Sequence, residues 1–373
     1  MKNTFPEIKG KLGLGCMRFP KKDGKIDCSE LCSMIDAFIE NGFNYFDTAH
    51  GYMRGESEST LKKCLTERYP RESYVLADKL STMHFEKKED IRPLFEKQLS
   101  ACGVEYFDFY LMHSQNTALY EKYMHCEAYE VALELKNEGK FKHLGISFHD
   151  EAKLLDKILT EHPEIEIVQL QLNYLDFEDS AIQSRLCLEV CEKHGKPVIV
   201  MEPVKGGSLV NLPDEAKAVF DALGGGSYAS YAIRFAAGFD SVVTVLSGMS
   251  SYEQMLDNIS YMKDFKPLSD AELSAIDEVA KIFKSKNTID CTGCRYCVDG
   301  CPMNIAIPDV FACLNSRKLF KSWNSEYYYS DVCTKNKGKA SDCIGCGACE
   351  KICPQKLKIS ELMKIVAEEF EKR

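Results

Sequence analysis

The stretch Phe43-Asn44-Tyr45-Phe46-Asp47-Thr48-Ala49-His50-Gly51-Tyr52 decides how the chain reads. Its first half is a short apolar run of strand-forming residues, and its second half turns abruptly polar. Upstream, Ser29 to Asn41 has helical apolar spacing and stops at Gly42, where glycine supplies a left-handed cap. The same unit recurs along the chain. Strands are expected at Leu12 to Arg18, Phe43 to Thr48, Tyr74 to Lys79, Phe107 to His113, Leu144 to Phe148, Ile167 to Tyr174, Pro197 to Glu202 and Ser241 to Ser247. Helical patterns lie between them, such as Ala128 to Asn137 closed by Gly139. Eight near-continuous apolar strands, each followed by a helix, predict an α/β fold: a closed parallel (β/α)8 TIM barrel. An open doubly wound sheet would want a GxGxxG loop, and Gly13-Leu14-Gly15 has no third glycine in place.

Such a barrel uses about 250 residues, and this chain has 373. The barrel is therefore expected over residues 1–285, with a second, smaller domain over 286–373. The chain carries a net charge of -10, yet the segment from Lys286 onward holds 14 Lys and Arg against 11 Asp and Glu, so the body is strongly negative. A negative body argues against nucleic acid as a partner. No run of 18 apolar residues exists to span a membrane. The opening Met1-Lys2-Asn3-Thr4-Phe5-Pro6 has no apolar signal core, so the expected location is cytoplasmic.

The second domain contains one pattern twice, Cys291-x2-Cys294-x2-Cys297-x3-Cys301-Pro302 and Cys343-x2-Cys346-x2-Cys349-x3-Cys353-Pro354. This resembles the ligand run of bacterial ferredoxins, which implies two [4Fe-4S] clusters. In two-cluster ferredoxins the fourth cysteine of a run serves the other cluster. The implied sets are Cys291, Cys294, Cys297 with Cys353, and Cys343, Cys346, Cys349 with Cys301. Zinc sites have no use for a third CxxC step or the following proline. A disulfide framework would need an oxidising compartment. The remaining ten cysteines are scattered, mostly in apolar runs, as small hydrophobes. Between the runs lie 41 residues in which Ala312 to Phe320 reads as a helix, and Ser360 to Lys372 forms another, making the domain mainly α-helical. Trp323 and Tyr327 to Tyr329 are expected to pack this insert, and Lys335, Lys337 and Lys339 to form a solvated basic patch.

Chemistry in a TIM barrel sits at the C-terminal strand ends. There the expected strands place Asp47, Tyr52, Lys79 and His113 around one mouth. Phe46-Asp47-Thr48-Ala49-x-x-Tyr52, Lys79 and Leu111-Met112-His113 resemble the motifs of the aldo-keto reductase superfamily, in order and on the right strands. The resemblance extends through Gly13-Leu14-Gly15, Gly145-Ile146-Ser147, Gln169 and Asp257-Asn258, and the pairing with a dicluster tail resembles a bacterial and archaeal subfamily. It implies an oxidoreductase acting on a small carbonyl or alcohol substrate, with Tyr52 as general acid and base. Lys79 would stabilise its phenolate, Asp47 would hold Lys79, and His113 would orient the carbonyl. It also implies coenzyme contacts from Ser147, Gln169, Met201, Ser247, Gly248, Gln254 and Asn258.

Departures from the family matter as much. Met201 stands where many members place an aromatic against the nicotinamide, and Phe148 follows Ser147 where an asparagine often stands. The loop Ser247 to Gln254 has no Lys or Arg for a 2′-phosphate, which disfavours NADPH against NADH. Nicotinamide passes two electrons together while a [4Fe-4S] cluster passes one. The barrel is thus expected to hold NAD(H) or a flavin, and an external one-electron carrier such as a ferredoxin or flavodoxin is an expected partner. Two rival readings remain open: an NADH-dependent carbonyl reductase with structural clusters, and an electron carrier whose barrel site is relict.

Overall fold

The computed structural model describes residues 4–286, 288–322 and 324–372. The expectation for Trp323 lies outside the described residues. Eight strands, Leu12–Gly15, Tyr45–Asp47, Val75–Leu80, Phe107–Gln115, Phe141–Phe148, Ile167–Gln171, Val198–Met201 and Val242–Ser247, form one closed barrel. Every neighbouring pair is parallel, and Leu12 opposite Val245 closes the ring. The expected strands are present with shifted ends. The first stops at Gly15, because the backbone then turns to place the Cys16 N–H on the Asp47 carbonyl. The fifth starts at Phe141, which pairs with Phe107.

The two-residue period of a strand sorts the core. Tyr45, Val75, Ala77, Phe109, Leu111, Ile167, Ile199 and Leu246 fill the lumen, and Phe5 and Ile8 pack with them. The alternate residues, such as Phe46, Leu76, Tyr110 and Val168, face the helices in a separate layer. The lumen is tight enough that a Cβ on Gly145 would stand 2.8 Å from Ile167 Cγ2 and 3.0 Å from the Ile167 carbonyl oxygen. Following the inward set two residues further along each strand gives Asp47, Lys79, His113 and Gln169. Strand parity alone therefore aims these four into the mouth.

Around the barrel, helix Cys28–Glu40 is followed by Gly42 at φ 87°, and helix Ala128–Asn137 by Gly139 at φ 76°, the left-handed stops expected of them. Helix Asp270–Ser285 precedes the cysteine-rich module, whose main helices are Ile307–Phe320, Ala348–Ile352 and Ile359–Phe370. The core of this module, including Phe311, Leu314, Tyr328, Met363 and Val366, takes in Ala181 from the loop after the sixth strand. The Tyr327 hydroxyl accepts a hydrogen bond of 2.7 Å from Asn116 Nδ2, and Lys337 pairs with Glu151 at 2.5 Å. Phe320 packs on Phe283 with ring centres 5.4 Å apart. The module thus lies on the mouth side of the barrel. Lys337, expected in a solvated patch, faces the barrel because Glu151 gives it a partner there.

Candidate active site and cluster pockets

Lys79 is fully buried, and its ammonium spends all three protons inside the mouth. It donates to Asp47 Oδ1 at 2.5 Å, to the Thr48 carbonyl at 2.8 Å and to the Tyr52 hydroxyl at 3.2 Å. Burial pulls against its charge, but the Asp47 carboxylate beside it prevails and holds it above the ordinary lysine range. The other Asp47 oxygen accepts from Gln169 Nε2 at 2.9 Å. Gln169, expected as a coenzyme contact, therefore fixes the carboxylate that fixes the lysine. Its inward parity was legible, but its partner was not.

Tyr52 sits in the turn after the second strand, followed by Met53 and Arg54 in left-handed backbone at φ 53° and 60°. Its phenol is raised above its ordinary value, because burial outweighs the nearby Lys79. Lys79 was expected to bring that value down; it limits the rise instead. The Tyr52 ring meets His113 edge-on at 5.8 Å. His113 is pushed well below its ordinary value by burial, with the Lys79 charge adding to the effect, and is neutral. Its Nδ1 is 2.5 Å from Ser81 Oγ, and its carbonyl accepts from Tyr123 at 3.0 Å. Ser81 and Tyr123 carried no signal in the sequence, since both reach His113 from other elements. His149, lowered to about 4 by burial and Lys79, adds a second neutral imidazole near Tyr327 and Tyr328.

The other expected contacts occupy the far side of the mouth. Ser147 Oγ accepts from the Ser114 N–H at 2.7 Å, Met201 ends the seventh strand half-buried, and Ser247 Oγ accepts from Asn258 Nδ2 at 2.7 Å. Gln254 Oε1 accepts from the Ser250 N–H at 2.8 Å, and Ser251 caps helix Tyr252–Met262. These bonds shape the loop from Ser247 through Gly248 into the helix, where the Tyr252 N–H goes to Glu30 Oε1 at 3.0 Å and the Gln254 N–H to Ser251 Oγ at 3.3 Å. Arg18 was missed: its Cδ lies 3.8 Å from the position of a Cβ on Gly248, and its guanidinium is 3.9 Å from Glu202. Glu202 and Lys205 take left-handed backbone at φ 56° and 49° in the turn after the seventh strand. Strained backbone concentrated at strand ends is a mark of functional turns.

In the module, the eight cysteines of the two runs border two pockets. Cys291, Cys294 and Cys297 line one together with Cys353, beside Ile307, Phe311 and Leu357. Cys343, Cys346 and Cys349 line the other together with Cys301, beside Ile305, Ile359 and Met363. The crossing of the fourth cysteine follows from the fold. In each run the last thiol, just before its proline, borders the pocket of the other run.

Comparison with known proteins agrees with this geometry. Residues 11–281 match the model of the aldo/keto reductase family, and residues 290–357 that of a 4Fe-4S dicluster domain. The chain is 26% identical over 322 residues to the NADH-specific methylglyoxal reductase of Escherichia coli, covering 73% of this chain and 94% of that protein. Among solved structures, the holo form of an aldo-keto reductase from Bacillus halodurans matches with TM-score 0.59 at 26% identity, over 72% of this chain and 91% of that one. A Klebsiella pneumoniae aldo-keto reductase in complex with NADPH matches with TM-score 0.59 at 20% identity, over 73% and 95%, a likeness of fold. No helix among the described residues is long and apolar enough to cross a membrane. The chain belongs to the aldo/keto reductase family and carries, after its barrel in sequence, a dicluster domain for two [4Fe-4S] clusters.

Proposed function

We propose that the protein interconverts a small carbonyl compound and its alcohol at the barrel mouth, and that its two clusters exchange the electrons of that reaction singly with an external carrier. The observation that carries this reading is the Lys79 ammonium, shared among Asp47, the Thr48 carbonyl and the Tyr52 hydroxyl. In the reducing direction Tyr52 gives its proton to the carbonyl oxygen, and Lys79 offsets the phenolate charge left behind. In the oxidising direction Tyr52 takes the proton back. His113, neutral and bonded through Nδ1 to Ser81, keeps Nε2 for the substrate oxygen; with Ser81 donating, Nε2 carries the proton that orients the carbonyl.

The far side of the mouth fits a nicotinamide coenzyme. Ser147 and Met201 border the ring position, and Gly248 lies beside Arg18 on the phosphate side. When bound, NAD(H) supplies or accepts the hydride. NADH is the expected form, supported by the NADH-specific relative and by the uncharged Ser250 to Gln254 loop. Cys291, Cys294, Cys297 and Cys353 would hold one cluster, and Cys343, Cys346, Cys349 and Cys301 the other. Soft thiolates in apolar surroundings suit iron-sulfur ligation.

The test is steady-state reduction of small aldehydes and ketones by anaerobically purified protein, with NADH, NADPH or a dithionite-reduced carrier as donor, while cluster absorbance is followed. Turnover with NADH that never changes cluster absorbance supports the rival reading of structural clusters. Turnover with no donor removes the proposal.

A further inference from the structure

Two cavities, of about 190 and about 460 Å³, meet along the seam between the barrel and helix Ile307–Phe320. They share Asp179, Lys205, Ala312, Ser316 and Phe320 as walls. One end opens on Glu202 and Gly206 in the turn after the seventh strand. The other reaches Cys291 and Gly293, and Cys291 also lines the first four-cysteine pocket. A single cleft thus runs from the barrel mouth to one cluster pocket. The second pocket shares no wall residue with the cleft, so it stands further from the barrel chemistry. The combined space falls within the roughly 300–1,000 Å³ of small-molecule sites.

An independent observation points to a ligand. Ser325 borders the cleft, is 3% exposed, and its hydroxyl has no hydrogen-bond partner. A buried polar group left so is costly unless something fills the space beside it. Phe320 and Tyr328 border the same space, with Arg18, Lys205 and Lys321 as its cations and Asp179 and Glu202 as its carboxylates. An aromatic ring system with a polar edge and an anionic arm matches these walls.

Electron counting selects the ring. Barrel chemistry moves pairs and each cluster moves one, so a converter must touch both partners. We propose that this cleft binds flavin mononucleotide, with the ring between the mouth and Cys291. The proposal rests on the NADH-linked reading above. NADH and one proton reduce the flavin to its dihydro form and leave NAD+. The dihydroflavin then gives two electrons, one to each oxidised cluster by way of the Cys291 side, and releases two protons. Two clusters hold the two electrons of one hydride, so the balance closes in a single chain.

The experiment titrates FMN into anaerobic protein of verified iron content and reads quenching of flavin fluorescence. The expected result is one FMN per chain, with binding weakened at least tenfold by Ser316→Trp, which fills the cleft, and weakened measurably by Ser325→Ala. Cluster absorbance should stay unchanged in both. If Ser316→Trp loses iron, Ser316→Leu takes its place. No quenching at high micromolar FMN, or equal affinity in the parent and the filled variant, overturns the proposal. NADH fluorescence measured separately in FMN-free protein separates the two readings. NADH bound without FMN sinks the flavin site alone, whereas FMN bound without NADH sinks the coenzyme reading and leaves the flavin site.

Discussion

The Lys79 ammonium stands 3.2 Å from the Tyr52 hydroxyl and 4.7 Å from the centre of its ring, so one buried cation meets both the polar and the aromatic part of the tyrosine. Tyr52→Phe keeps the ring and that cation contact while removing the proton. Turnover should fall about 100-fold or more, with the melting temperature close to the parent's. Lys79→Met should cost a comparable factor in rate, and it should also destabilise the fold, because Asp47 is then buried without its cation. Parent-like turnover in Tyr52→Phe would take the tyrosine out of the mechanism.

Burial keeps the Tyr52 phenol above its ordinary value despite Lys79. Where Tyr52 acts as a base, the active form is the phenolate, whose share grows about tenfold per pH unit below that value. Alcohol oxidation should therefore still be climbing at pH 9. A plateau at neutral pH would mean that the bound coenzyme, rather than the protein, sets the phenol's acidity.

The crossed cysteine pockets make a prediction that distance in sequence would not. About eight irons per chain are expected, four in each cluster. Cys353→Ala changes the last cysteine of the second run, which borders the pocket of Cys291, Cys294 and Cys297. Its iron content should drop towards four, and the electron paramagnetic resonance signal that disappears should be the one also lost in Cys294→Ala. Matching Cys346→Ala instead would show that each run serves its own cluster.

The barrel was legible because strands buried on both faces run as continuous apolar segments, and the glycines at 42 and 139 punctuate them. Asp47, Lys79 and His113 were legible for the same reason: parity fixes where a residue near a strand end points. Residues whose role arises between elements were not. Ser81 reaches His113 across 32 positions, and Lys337 reaches Glu151 across 186. Arg18 joins Gly248 and Glu202 only when the first, seventh and eighth strands meet. The seam behind Ser325 has no pattern in the sequence at all, since its walls come from both domains.

Coenzyme choice tests the far side of the mouth. One charge-assisted pair contributes about 1.5–3 kcal/mol, or at least tenfold in affinity. The loop from Ser250 to Gln254 has no such partner for a 2′-phosphate. NADPH should bind no more tightly than NADH in fluorescence titrations. Should NADPH bind more tightly, Arg18 beside Gly248 is the cation to examine, and Arg18→Leu should then erase the preference.

Below the mouth, Glu58 and Asp78 are buried carboxyls side by side. Burial pushes Glu58 from 4.5 up to about 7, and burial with the Glu58 charge pushes Asp78 well up. Between those two pH values the folded protein keeps a proton at Glu58 that the unfolded chain releases. This contribution to stability is therefore full below about pH 4.5 and is lost as the pH rises through about 7. Glu58→Gln is neutral at every pH and lacks that loss. Urea unfolding at pH 5 and pH 8 should show the parent losing more stability than the variant over this interval, by on the order of 2 kcal/mol. Because Glu58 also bonds His50 Nδ1 at 2.8 Å, the variant need not match the parent at pH 5; the difference between the two slopes is what counts. Parallel slopes would mean that the pair is relieved by water or a cation, and that its proton is not held.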